Sequence, residues 1–218
     1  MNNELFLRIT TSLVILPILI FCTFSSGFLL VTLLSIIYLV SFYEIVKNSR
    51  NIAFNFCANI ILIISLISFY YLRGISNLSL IIIYWILIVT FLSDIGGYVF
   101  GKAFKGKKLT KISPNKTYSG SVGSFVFSIL SIPLITVIQN YFFKIILIEF
   151  YIFKFFLIAL FLSFVCQSGD LFVSYYKRRL NIKNTSNVLP GHGGIIDRID
   201  GLIFVIIASA AMKQIGVI

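Results

Sequence analysis

Seven apolar runs, each near the length of a bilayer crossing, leave this 218-residue chain few folds to choose from. They fall at 7–24, 28–46, 54–72, 78–93, 121–138, 153–175 and 201–217. A hydrocarbon core about 30 Å thick takes about 20 residues of helix. Backbone polar groups inside it must be satisfied internally, so only helices and closed barrels cross it. Continuous apolar runs, with no alternation, select helices. The expectation is an all-α, polytopic integral membrane bundle of about seven transmembrane helices. Composition agrees, with 59% hydrophobic and 11% charged residues, where a soluble domain carries about 25% charged. The first run lacks a small-residue cleavage site and further apolar runs follow it, so it reads as a span and not as a signal peptide. No transporter-like internal repeat is visible. The chain divides into N-terminal transmembrane helices, 1–76, and a transmembrane region with polar loops, 77–218, within one structural unit. A small interfacial helix is expected at 141–150.

The net charge of +11 would suggest nucleic acid in a soluble domain. Here its placement argues for a membrane topology and against a nucleic-acid partner. Seven spans put Arg8, Lys47, Arg50, the six lysines from Lys102 to Lys116, and Lys177, Arg178, Arg179, Lys183 and Arg198 on one side. That is 14 of the 18 basic residues. Arg73, Lys144, Lys154 and Lys213 fall on the other. The split predicts a cytoplasmic N-terminus and cytoplasmic loops at 102–120 and 177–196. Cys22, Cys57 and Cys166 lie in or beside apolar runs and read as inert packing.

Only seven acids occur, and four gather at the predicted cytoplasmic rim: Asp94, Asp170, Asp197 and Asp200. Acids within membrane segments mark function more often than packing. Asp170 lies seven residues before Lys177, about 10 Å along a helix. Asp197 and Asp200 share one helix face by their i, i+3 spacing. Converging carboxylates can share a hard cation, and Mg²⁺ takes one or two of them together with substrate phosphates. Other readings stand beside this one: helix-dipole stabilisation for Asp197 and Asp200, an ion pair for Asp170, and a water-facing rim position for Asp94. Glu44 reads as interfacial or paired with Lys47, outside the site. His192 sits in the run Leu189-Pro190-Gly191-His192-Gly193-Gly194, whose glycines allow close backbone approach to a phosphate or sugar. Ser113, Lys116 and Thr117 offer a lysine between hydroxyls, and Ser174, Lys177 and Arg178 lie within one turn; both sets suit phosphate oxygens. Ser119-Gly120-Ser121 and Gly123-Ser124 read as a small-residue helix-packing face. Trp85 reads as packing or an interfacial anchor. Walker A, GxSxG and HExxH patterns are absent.

Taken together, these residues resemble the phosphatidate cytidylyltransferase (CDP-diacylglycerol synthase) family. The resemblance rests on Gln167-Ser168-Gly169-Asp170-Leu171, Ser174-Tyr175-Tyr176-Lys177-Arg178, the Pro-Gly-His-Gly-Gly run, Asp197-Arg198-Ile199-Asp200, the segment from Asp94 to Lys102, and Ser113-Pro114-Asn115-Lys116-Thr117. Asn184, Val173 and Ser119 stand where the family usually has carboxylates, and Ile95 where it has a threonine. The resemblance implies transfer of a cytidylyl group from CTP to phosphatidate in phospholipid biosynthesis. It further implies catalytic Asp170, Asp197, Asp200, Lys177, Arg178 and His192. Ser113, Lys116, Thr117, Ser174, Gly193, Gly194, Arg198 and Asp94 would contact the nucleotide or phosphates. Asp170, Asp197 and Asp200 would hold Mg²⁺, and a second, monovalent cation such as K⁺ is compatible. The expected setting is the inner (plasma) membrane, multi-pass, with the active site facing the cytoplasm and a homodimer allowed. A CTP-dependent polyprenol or phytol kinase is the nearest alternative, and a transporter or an inactive relative the alternative of another class.

Overall fold

A computed structural model describes residues 2–110, 113, 116–143, 152–191 and 193–218. Eight α-helices account for most of them: α1 (Asn2–Ser25), α2 (Gly27–Asn48), α3 (Ile52–Arg73), α4 (Asn77–Phe104), α5 (Tyr118–Ile129), α6 (Ser131–Ile138), α7 (Ile152–Arg179) and α8 (Ile196–Gln214). Among the described residues β-structure is limited to two isolated bridges, Lys108 with Thr117 and Leu189 with Gly193. Five helical segments are long and apolar enough to cross a membrane: Gly27–Asn48, Ile52–Arg73, Asn77–Phe104, Tyr118–Phe142 and Ile152–Arg179. Thr10–Ser25 forms a shorter apolar helix. The chain is thus a helical, multi-pass membrane protein, and its outer faces expose side chains such as Leu13, Leu39, Ile67, Val137 and Phe164.

Two helices depart from the apolar runs that predict them. The fourth run ends at 93, but α4 continues to Phe104 and carries Asp94 ten residues inside its end. The fifth run breaks into α5 and α6 at Leu130. Pro133 lacks the amide that would bond the Ile129 carbonyl, so the helix cannot continue unaltered there. A π-helical turn, Gln139–Phe143, follows α6. The remainder of the expected interfacial helix, 144–150, lies outside the described residues.

α4 and α5 pack through glycine. A Cβ at Gly96 would lie 2.3 Å from the Gly123 carbonyl oxygen, and one at Gly120 would lie 2.8 Å from that of Gly97. The backbones therefore approach as closely as small-residue interfaces permit. The larger core gathers Trp85 and Val89 of α4, Ile132 and Ile135 of α6, Phe155 and Leu162 of α7, and Val205 and Ile206 of α8. Trp85 is fully enclosed: its ring meets Phe155 edge-on at 4.9 Å and its Nε1 donates to Ser131 Oγ at 3.1 Å. A second core joins Ile45, Leu62, Val173, Ile196 and Ile203 from α2, α3, α7 and α8.

The two ends of the bundle differ. At one end basic side chains serve the backbone. Arg73, buried, donates to the carbonyls of Thr23, Gly74 and Phe24 at 2.5, 3.1 and 2.8 Å. Lys213 donates to those of Tyr71 and Leu72, both at 3.2 Å. These contacts close the C-terminal turns of α1 and α3, whose last carbonyls lack helical partners. The opposite end holds the acids.

Candidate active site

Lys177, in the last turn of α7, stands between two carboxylates in the first turns of α8. Its Nζ is 3.0 Å from Asp197 Oδ1 and 3.7 Å from Asp200 Oδ2. The i, i+3 spacing places both acids on the face that meets α7, as expected. All three side chains are largely buried. Gly201 is what lets α8 come this close: a Cβ there would lie 2.7 Å from Cys166 Sγ and 3.0 Å from its carbonyl oxygen.

Asp170 lies two turns deeper on α7. Its Oδ2 pairs with Lys116, which the loop after α4 delivers, and its Oδ1 receives the Ser174 hydroxyl at 3.4 Å. Asp94 meets the Cys166 thiol at 3.7 Å. The same thiol lies against Gly201, the residue after Asp200. Acids from α4, α7 and α8 therefore occupy one charged region, interleaved with Lys116 and Lys177. Nearby, Ser121 donates to Gln167 at 2.5 Å, Gln167 donates to Ser163 at 3.3 Å, and Ser163 shares a 2.8 Å bond with Ser93. This polar chain ties α5, α7 and α4 together, and buried hydroxyls and amides of this kind are costly unless bonded.

The loop before α8 is closed on itself. Leu189 and Gly193 exchange both backbone bonds, at 2.9 and 3.0 Å. Gly191 and Gly193 have φ of +74° and +90°, which side chains with a Cβ adopt poorly. Asp197 holds the loop down: its Oδ2 accepts from Thr185 N at 2.8 Å, Gly194 N at 3.0 Å and Thr185 Oγ1 at 3.2 Å. His192, expected as catalytic, lies outside the described residues.

Several residues expected to meet the nucleotide or phosphates also have contacts within the protein. Arg178 is exposed and donates to the Ile182 carbonyl at 3.3 Å. Thr117 is the N-cap of α5, accepting from Gly120 N at 3.1 Å. Ser113 shapes the preceding turn: its amide donates to Thr110 Oγ1 at 3.3 Å and its carbonyl accepts from Lys116 N at 3.1 Å. Gly193 and Gly194 give up their Cβ to the protein's own carboxylates, since added carbons would lie 3.0 Å from Asp197 Oδ2 and 2.6 Å from Glu44. Asp170 is 28% exposed at its side chain and ion-paired with Lys116.

Glu44 corrects the expectation that it stays outside. It is fully buried and accepts from Ser186 Oγ at 2.6 Å, Thr185 Oγ1 and Ile195 N at 2.8 Å each, and Ile196 N at 3.1 Å. The one available signal was a carboxylate kept within an apolar run, which is itself costly.

The oxygen donors suit a hard cation such as Mg²⁺, but unequally. Asp197 has committed one oxygen to three donors and the other to Lys177. Asp170 and Asp200 keep less encumbered oxygens. Among the described residues no three acidic, histidine or cysteine side chains are placed to share one metal ion, so Asp170, Asp197 and Asp200 do not form a closed triad. One or two carboxylates completed by substrate phosphates remain the arrangement that fits.

Sequence comparisons identify the family of the chain. A model of the cytidylyltransferase family matches residues 48–215. The phosphatidate cytidylyltransferase of Rickettsia prowazekii is 34% identical over 210 residues, covering 93% of this chain and 89% of the relative. That of Rickettsia felis is 34% identical over 215 residues, with the same two coverages. That of Bacillus subtilis is 33% identical over 179 residues, covering 80% of this chain and 64% of the relative. The matched stretch takes in every charged group of the cluster around Lys177, and with it the chain belongs to the cytidylyltransferase family.

Proposed function

We propose that this chain transfers the cytidylyl group of CTP to phosphatidate, forming CDP-diacylglycerol and diphosphate. The observation that carries the reading is Lys177 held between Asp197 and Asp200 beside the Lys116–Asp170 pair. Such a region suits a reaction between two anions. The nucleophile is a phosphate oxygen of the lipid, already largely deprotonated near neutral pH, so no strong general base is needed. Its bond to the α-phosphorus forms as the bond from that phosphorus to the bridging oxygen breaks, and the electron pair leaves with diphosphate. The barrier is then mainly one of positioning and charge. Lys116 and Lys177 supply ammonium groups for phosphate oxygens. Asp170 and Asp200 would hold Mg²⁺, which when bound neutralises phosphate charge. Asp197 keeps the glycine loop and Lys177 in place.

The proposed topology has seven spans with a cytoplasmic N-terminus, supported by the charge split. CTP then arrives from the cytoplasm and the lipid sideways from the bilayer, meeting at the acidic end of the bundle. The test is an assay of purified protein with Mg²⁺ and CTP labelled at the α-phosphate or, in a parallel reaction, at the γ-phosphate, offering phosphatidate or a polyprenol as acceptor. Label in CDP-diacylglycerol supports the proposal. Label appearing in neither lipid, or retained only by the polyprenol arm, overturns it.

A further inference from the structure

Glu44 has no place in the chemistry above, yet it is the most thoroughly enclosed carboxylate among the described residues. It belongs to α2, about 140 positions before its partners. No lysine or arginine pairs with it among the described residues; two hydroxyls and two backbone amides hold it instead. Those amides, of Ile195 and Ile196, immediately precede Asp197. Asn48, one turn further along α2, adds a bond to the Thr185 carbonyl at 2.6 Å. The end of α2 thus grips both sides of the glycine loop.

Thr185 makes the link to the charged cluster. Its hydroxyl lies 2.8 Å from Glu44 Oε2 and 3.2 Å from Asp197 Oδ2. A hydroxyl has one proton to donate, so two carboxylates share a single donor. The chain of contacts runs from Glu44 through Thr185 to Asp197, then through Lys177 to Asp200. Gly194 is required at this point, because a Cβ would lie 2.0 Å from Thr185 Oγ1 and 2.6 Å from Glu44.

We propose that Glu44 is a positioning residue: by clamping Thr185, Ser186 and the start of α8, it sets where Asp197 and Asp200 stand around Lys177. The effect on rate rests on the cytidylyl-transfer reading; the effect on geometry does not. Glu44→Gln preserves volume but turns one acceptor oxygen into a donor facing donors. The comparison is Arg73→Met, which removes a buried charge from the opposite end. For each purified protein, kcat and the KM for CTP are measured per folded molecule. Backbone hydrogen exchange across 185–196 is followed without substrate.

Glu44→Gln should lower kcat roughly 10-fold or more, in line with displacement of a positioned group. Exchange at Ile195 and Ile196 should quicken roughly 10-fold as their shared acceptor, Glu44, weakens. Arg73→Met should change neither. If Glu44→Gln does not fold, Thr185→Val carries the test, since it keeps shape and deletes the shared hydroxyl; its kcat should fall several-fold with faster exchange at Gly194. Unchanged kcat per folded molecule in a protein that transfers cytidylyl groups, or unchanged exchange in any case, overturns the proposal. An unsubstituted chain without transferase activity would defeat the functional reading alone, and exchange would then decide the role of Glu44.

Discussion

Replacing Gly123 by alanine should injure a site that Gly123 does not touch. The added Cβ would sit 2.4 Å from Phe100 Cβ and 2.5 Å from the Gly96 carbonyl oxygen. Carbon atoms in contact rest at about 3.5–4.0 Å, so the helices are short of room by about 1 Å. Neither obstacle can swing away, because one is a backbone oxygen and the other a Cβ fixed to α4. α5 must therefore shift off α4, and overpacking of this sort typically costs about 1–3 kcal/mol. The N-terminal turn of α5 begins at its cap Thr117, next to Lys116, which reaches Asp170. A displacement near 1 Å at such a residue can reduce turnover by about 100-fold. The assay is CDP-diacylglycerol formation at saturating substrates, with thermal unfolding followed in parallel. Val122→Ala, on the exposed face of the same helix, is the control and should alter little. Normal transfer and an unchanged unfolding midpoint in Gly123→Ala would refute the claim that the glycine seam positions Lys116.

Lys177→Met should leave Asp197 and Asp200 largely buried without their cation, costing about 3–5 kcal/mol as well as transfer activity; adding Asp197→Asn should recover part of the lost unfolding midpoint, and no recovery would speak against a buried ion pair. Val173→Glu should reduce the yield of folded protein and not raise activity, because Val173 packs among Ile45, Leu62, Ile196 and Ile203 and an unpaired carboxylate there costs several kcal/mol; a well-folded, faster enzyme would contradict this. Single cysteines at the exposed positions Lys108 and Asn187 should resist an impermeant thiol reagent in intact cells and react in inverted vesicles. Labelling of intact cells would reverse the proposed topology.

Five of the expected spans were legible because crossing a bilayer imposes length and hydrophobicity on contiguous residues, which a sequence displays directly. The face shared by Asp197 and Asp200 was legible for a related reason, since helical spacing alone determines it. The small-residue seam of α5 was likewise readable, although its partners Gly96 and Gly97 on α4 were not. What escaped was long-range pairing. Nothing near Glu44 announces Thr185 or Ile195, and its closest basic neighbour in sequence, Lys47, suggested a local pair instead. Asp197 looked like a metal ligand from its motif, whereas its bonds to Thr185 and Gly194 depend on how the loop folds back. The break at Leu130 was foreseeable from Pro133, yet an apolar run conceals it. The extension of α4 beyond Ser93 was hidden for the opposite reason, because polar residues continue a helix that hydropathy alone would end.

Arg73 and Lys213 give the bundle a consequence for energetics across the membrane. Both spend their charge on backbone carbonyls at the end remote from the acids. The charged cluster thus lies at one end of the bundle, while hydrogen-bonded basic side chains close helix termini at the other. The voltage across a bilayer performs work only on charge that travels through it. A catalyst whose acids and polyanionic substrates stay at one end, with Arg73 and Lys213 fixed at the other, would neither draw on that voltage nor dissipate it. It would run at the same pace in an energised cell and a collapsed one.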